Sequence, residues 1–288
     1  MPPLSIPFPE YVAMHGVNWS TLSKMRASPL HYRDALDHKR GPTAAQVTGS
    51  ALHTLVLEPG EFAARYAVYD GDGTRAGKEY KAFAATCAPD VVILKRDEMD
   101  EVQAMADAID QHPVAGPLFA SGWAEQSFTW TDETTGLACK GRTDWICNDG
   151  MGMDFRKGAP GTFYRRGILV DLKTSRSADA REFGRDAAKY GYPEQLMHYR
   201  AGLEANGYQV SQVLIVVVES SAPYDVCVYE LTDDQQQRPK AEVARLLARV
   251  AECAASGIWP GRSAEVTPLD LPAWVTGSDD VAVLWGAT

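Results

Sequence analysis

Residues 167–175 read GILVDLKTS, so Asp171 and Lys173 directly follow the apolar run Ile168-Leu169-Val170. A short β-branched run bounded by a glycine and by polar residues describes an interior strand. Residues two apart on a strand project to one face. Asp171 and Lys173 therefore stand together, while Leu172 points the other way, into the core. A buried charge needs a partner, a metal ion or water to remain charged. The end of this strand is thus either a casual ion pair or a site, and the pair alone does not separate the two.

Its neighbours along the chain add to it. Upstream, CKGRTDWIC (139–147) carries Asp144 in an otherwise apolar patch beside Trp145 and Ile146. Two carboxylates on adjacent strands, with a lysine one pleat away, form the hard-oxygen set that Mg²⁺ prefers; pairing of Asp144 with Arg142 or Lys140 is the alternative. Downstream, YPEQLMHYR (192–200) holds Gln195 and Tyr199 four apart, on one helix face. They offer an amide and a phenol to a phosphate or to backbone, unless Tyr199 is core and Gln195 surface. His53 lies in the apolar helix GSALHTLVLEP (49–59), where a hydrogen-bonded core histidine is the commoner role.

The 288 residues, 45% of them hydrophobic, suffice for one large domain with a sizeable core. No apolar run reaches the roughly 18 residues of a membrane span, and the opening MPPLSIPFPEY has no charged start with an apolar signal core, so the expectation is a cytoplasmic, soluble protein. The five cysteines are scattered with no C-x-x-C pair, which favours buried free thiols over zinc, an iron–sulfur cluster or redox chemistry. The formal charge of −10 argues against diffuse attraction to nucleic acid. Residues 140–200, however, hold 12 basic and 8 acidic side chains, a balance of +4 that leaves −14 elsewhere. An anionic ligand should meet the middle of the chain.

Helical patterns dominate residues 1–120. Ser20 is the expected N-cap of a broken helix burying Leu22, Met25, Tyr32 and Leu36. A second helix runs through 43–60, and others through 77–87 and 97–111, separated by the short strand DVVIL. EQSFTWT and LACKGRTDWIC then read as a hairpin joined by DETTG. The glycine-rich 148–167 is a loop or flap. After the strand around Asp171 come a helix with Ser177 as N-cap, a helix through PEQLMHYRAGLEANG, the strands SQVLIVVVES and YDVCVYEL, and an amphipathic helix with Val243, Leu246, Leu247, Val250 and Cys253 on one face. A proline-rich tail, 257–288, wraps irregularly over the body. The sequence thus predicts one domain, with an α/β core at 121–256 whose mixed sheet contains Phe128, Thr143, Val170, Val216 and Val228.

Taken in order, SPLHYRDAL, GSALHTLVLEP, CKGRTDWI, VDLKT, GYPEQLMHYRAGL and the closing LPAW resemble the PD-(D/E)xK nuclease superfamily, in its RecB-like branch, and most of all the RecE (exonuclease VIII) nuclease family with its phage relatives. The resemblance implies a restriction-endonuclease-like core of mixed sheet flanked by helices. It implies metal ligation by His53, Asp144, Asp171 and the Leu172 carbonyl, a catalytic role for Lys173, and a supporting Gln195–Tyr199 motif. Glu125 fits a supporting acidic position beside the ligands. The implied activity is Mg²⁺-dependent hydrolysis of DNA, Mn²⁺ substituting: a 5′-to-3′ exonuclease on duplex ends, ring-forming, beside a single-strand annealing protein. A CRISPR-associated RecB-like nuclease is the rival enzyme, but such proteins carry an iron–sulfur cage that this cysteine spacing does not supply. A catalytically idle DNA-binding module is the rival outside the enzymes. Asp144 and Asp171 stand 27 positions apart, more than the family's usual short hairpin. Arg156, Lys157, Arg165 and Arg166 in that insertion, with Arg176, Arg181, Arg185 and Lys189 beyond the strand, are the expected DNA contacts.

Overall fold

The caps and apolar spacings of the first 120 residues do produce helices. In the computed structural model, which describes residues 6–38, 41–147 and 165–271 with Arg165 and Arg166 as backbone only, they are α1 (Phe8–Ala13), α2 (Trp19–Leu22), α3 (Pro29–Asp37), α4 (Ala44–Leu57) and α5 (Phe62–Arg65). Then follow β1 (Tyr66–Tyr69), α6 (Lys78–Ala84), β2 (Val92–Lys95), α7 (Arg96–Gln111) and α8 (Ala115–Ala120). The core comprises β3 (Gly122–Thr131), β4 (Ala138–Cys147), β5 (Arg165–Ser175), α9 (Ala180–Tyr190), α10 (Tyr192–Ala205), β6 (Tyr208–Glu219), β7 (Val226–Glu230) and α11 (Asp233–Ser256).

Local chemistry moves some boundaries. Asn18, not Ser20, caps α2, because its amide oxygen accepts from the Thr21 N–H. Asp179, not Ser177, caps α9, accepting from the N–H groups of Arg181 and Glu182. A carboxylate in that place also favours the positive end of the helix. α4 starts on a full capping box between Thr43 and Gln46. Leu36 stays exposed while Leu22, Met25 and Tyr32 are buried. β1, which has no sequence signature of its own, pairs in parallel with β2.

The main sheet has the order β3-β4-β5-β6-β7, with β5 and β6 parallel and every other pair antiparallel. It is the expected mixed sheet. Alternation along β5 feeds two cores. Leu169 joins Leu196, Leu203, Val213 and the apolar face of α11 on one side, whereas Val170 and Leu172 join Leu52, Val102, Met105 and Val216 from α4, α7 and β6 on the other. Each such fully buried aliphatic contributes about 1.5–3 kcal/mol relative to exposure. Past α11 the chain has no regular element as far as Leu271, but Trp259 stacks on Tyr32 at 5.5 Å and the Leu30 N–H donates to the Pro260 carbonyl. All five cysteines are free, with Cys139, Cys147 and Cys253 buried. Among the described residues, no helix is long and apolar enough to cross a membrane.

Candidate active site

Between β4 and β5 the described residues pair Cys147 with Ile168, Ile146 with Leu169 and Trp145 with Val170, and the ladder stops after this last pair. The next rung would set Asp144 opposite Asp171. The strands fork at that point, and the Leu172 N–H donates to Asp144 Oδ2 (2.9 Å) instead of to a strand carbonyl. α4 lays His53 into the fork, its Nδ1 3.7 Å from Asp144 Oδ2. The Leu172 backbone lies beside the ring and acts to favour the protonated imidazole. His53, Asp144 and the Leu172 backbone thus come together at the fork.

β3 brings a third carboxylate. Ala124 pairs with Trp145 and Gln126 with Thr143, which leaves Glu125 across from Asp144 without a backbone rung. Glu125 has φ +50°, a left-handed conformation that is uncommon for a residue with a side chain. The alternation of both strands shifts by one at this point. Trp123 and Ile146 face the α10 side before it, and Trp130 and Cys139 face the same side after it. The outcome is that ligand atoms of His53, Glu125 and Asp144 lie within 4.8 Å of one another. Glu125, expected only as support, thus sits in the ligand cluster itself. Its backbone twist has no signature in the sequence.

Asp171 stands apart from that trio and faces Lys173, whose Nζ lies 2.5 Å from Oδ2 and 3.9 Å from Asp144 Oδ2. Asp171 is 1% exposed, and neither of its oxygens has a well-aligned hydrogen-bond donor. Burial pushes its carboxyl well above the usual range, against the pull of Lys173, and Asp144 adds to the rise. For Lys173 burial acts downward, but Asp171 and Asp144 together outweigh it, so the ammonium is held more firmly than usual. Burial also raises Glu125, with Asp144 adding to it, and lowers His53, with Lys173 adding to that. Arg142 is engaged by Glu125 and stacks over Phe8 at 4.3 Å. With His53 neutral, three carboxylates thus face two cations, Arg142 held by Glu125 and Lys173 held by Asp171. A divalent cation fits this donor set: it would satisfy the orphaned oxygens and offset the repulsion.

The other expected residues divide. Gln195 Nε2 donates to the Tyr199 hydroxyl at 3.0 Å, so the two bind each other, half-buried on α10. Burial raises Tyr199 and the nearby Asp144 and Asp171 add to it, so its phenol remains protonated. Arg176 is exposed and lines a cleft of about 1730 Å³ that also contains His53, Glu125, Leu172 and Lys173. Arg181, Arg185 and Lys189 are exposed along α9 at four-residue steps. Arg165 and Arg166 open β5 opposite Tyr208 and Gln209, at the far end of the strand from Lys173, roughly 25 Å away at ~3.3 Å per residue. Arg156 and Lys157 lie outside the described residues. The sequence reading missed Tyr192, whose ring lies 5.0 Å from Lys173 Nζ.

Three neighbouring strands each contribute a carboxylate at a fork, with D-x-K on β5, the central strand of the sheet, and a histidine from α4 beside it; the sheet and its flanking helices have a PD-(D/E)xK-type fold. Over residues 18–271 the chain belongs to the family described as a PDDEXK-like domain of unknown function (DUF3799). Among solved structures it is similar to a "Putative exonuclease" from Eubacterium rectale, at 11% identity and a TM-score of 0.59, covering 96% of this chain and all of that one. A phage related exonuclease from Haemophilus somnus 129PT shares 14% identity over 86% of this chain and 98% of that one, with a TM-score of 0.33 that bears no weight. No curated protein matches the sequence significantly.

Proposed function

We propose that this protein is a divalent-metal-dependent deoxyribonuclease. The observation that carries this reading is the fork itself, where His53, Glu125 and Lys173 line one cleft and Asp144 and Asp171 lie within reach of them. His53, Glu125 and Asp144, with the Leu172 carbonyl, would hold Mg²⁺, or Mn²⁺ in its place, and Asp171 would complete the set. A bound cation supplies Lewis acidity toward a phosphoryl oxygen and lowers the pKa of water toward neutrality. The chain's own groups do the rest. Lys173, kept protonated by Asp171 and Asp144, orients the attacking water and offsets charge growing on the phosphoryl oxygens. Asp171 fixes that lysine, and Gln195 with Tyr199 braces the face below. The leaving group is a 3′-hydroxyl, so the product keeps a 5′-phosphate.

The finer reading is a 5′-to-3′ exonuclease on double-stranded ends, working in phage-type recombination with a single-strand annealing protein and assembled as a ring. The likeness of the ordered sequence motifs to the RecE family supports it, and so does the basic row Arg181, Arg185 and Lys189 beside the cleft. Linear duplex labelled at either 5′ or 3′ ends, and a covalently closed circle, would be incubated with Mg²⁺. The expected result is early release of 5′-end label as mononucleotide, with the circle intact. Early loss of the 3′ label would reverse the polarity, nicking of the circle would make the protein an endonuclease, and no metal-dependent cleavage would end the nuclease reading.

A further inference from the structure

Among the described residues, Phe8 and Tyr190 are the exposed aromatic side chains, 54% and 52% accessible, and both line the catalytic cleft. They are not equivalent. Phe8 lies on the β4 side, already covered by Arg142 and stacked with Tyr11. Tyr190 is the outer rung of a ladder of rings. It stacks on Tyr192 (5.8 Å, 28°), Tyr192 stacks on Phe183 (6.1 Å, 28°), and Phe183 stacks on Tyr229 (5.8 Å, 12°). The second rung is the ring beneath Lys173. A stack of near-parallel rings thus runs from the catalytic lysine and ends on a face open to the cleft.

We infer that Tyr190 is a stacking platform for the nucleobase of an unpaired DNA nucleotide next to the scissile phosphate, so that the strand enters the site splayed from its complement. This inference rests on the nuclease reading and adds the state of the substrate to it. Tyr190 itself offers a ring face and no charge, which suits a base rather than a phosphate. Asp186, one turn earlier on the same face of α9, also lines the cleft and repels phosphate. Tyr190 is the last residue of α9, where the helix presents its carbonyls; Arg26 holds two of them, Ala188 and Lys189, and so is engaged by the helix end rather than free for a phosphate. A neutral, planar π-face meets none of these penalties. The group near the ring is Lys189, its Nζ 5.1 Å from the centroid. An exposed ammonium is held there weakly and is free to move to the backbone phosphate. Stacking on a ring is tolerant of base identity, as a nuclease that degrades any sequence requires.

The test uses the full chain in Ca²⁺, which blocks cleavage, with duplexes carrying a short unpaired end. Each of the terminal nucleotides in turn is made 2-aminopurine or abasic. Binding by the parental chain should quench 2-aminopurine at one position, and removing that base should weaken binding by roughly tenfold, within the ~5- to 150-fold that base–aromatic stacking spans. Tyr190→Ala should abolish the quench and weaken binding of the intact strand by a similar factor. It should add nothing on the abasic strand, and Tyr190→Trp should restore both signals. The ring is exposed, so an unchanged melting temperature is expected for each variant. Full affinity of Tyr190→Ala, or losses from the variant and the abasic site that simply add, would overturn the platform. A parental chain that cleaves linear DNA in Mg²⁺ yet shows neither signal sinks this inference alone, whereas a parental chain that neither binds nor cleaves DNA sinks the nuclease reading with it.

Discussion

The two edges of β5 differ sharply. Toward β6 it is paired along its whole length, eleven residue pairs from Arg165 to Ser175. Toward β4 the described residues pair at three positions, and the chemistry-bearing side chains lie just beyond Trp145–Val170. One edge anchors the strand and lets the other stay open. Backbone groups released from a ladder must find other partners, and at this fork the Leu172 N–H finds the Asp144 carboxylate. The difference teaches that the site is built where pairing is withheld, with the rigidity coming from the opposite edge.

Breaking the open edge should cost activity and leave the fold in place. Asp171→Ala and Lys173→Ala are each expected to lower the rate of nucleotide release about a thousandfold or more, with circular dichroism unchanged. Either variant digesting DNA at near the parental rate would detach the chemistry from the fork.

The zipped end should behave in the opposite way. Leu169 is 1% exposed and sits inside the three-rung closure. Leu169→Ala should lose about 2–5 kcal/mol of stability, read from the urea midpoint. The molecules that remain folded should cleave at the parental rate per active site. A large fall in turnover without loss of stability would mean that the two edges are not separable.

Two histidines sharpen the contrast. His53 faces the fork, whereas His198 is fully buried against Trp130 and has one ring nitrogen 3.3 Å from the Lys140 carbonyl. Burial pushes His198 down to about 4. Its folded value lies below its unfolded value of about 6.5, so between the two the unfolded chain takes up a proton that the folded chain refuses. Its contribution to stability is complete above about 6.5 and is lost as the pH falls toward 4. The total is on the order of 3 kcal/mol. Urea midpoints across that window should fall for the parental chain and fall less for His198→Gln. Equal slopes would place the acid sensitivity elsewhere.

The smallest effect belongs to the surface beside the open edge. Alanine at both Arg181 and Arg185 should flatten the dependence of log affinity on log salt by roughly 0.7–0.9 for each phosphate contact removed. Fluorescence anisotropy in Ca²⁺ would measure it. A slope equal to that of the parental chain would assign this row to solvent.

The sheet could be read ahead of the structure because its strands carry their own patterns: β-branched runs, an alternating hairpin and a D-x-K at a strand end. The trio of His53, Asp144 and Lys173 followed from motif order. Glu125 did not, because its place depends on a left-handed backbone angle and a shift in alternation that arise only when β3 meets β4. The cap residues were misplaced by two positions at each of α2 and α9, since Ser20, Asn18, Ser177 and Asp179 are all good cap formers and the choice among them is made by the path of the preceding loop. β1 is only four residues long and its partner lies 26 positions on, so no local pattern marks it.

The three rungs from Trp145–Val170 to Cys147–Ile168 also act as a buckle. β4 ends at Cys147 at one end of it, while Asp144 and Asp171 lie past the other. The three rungs therefore hold the spacing of the two carboxylates from within the sheet. A strain applied at the Cys147 end of the strand must first unzip three rungs before it can move Asp144 relative to Asp171.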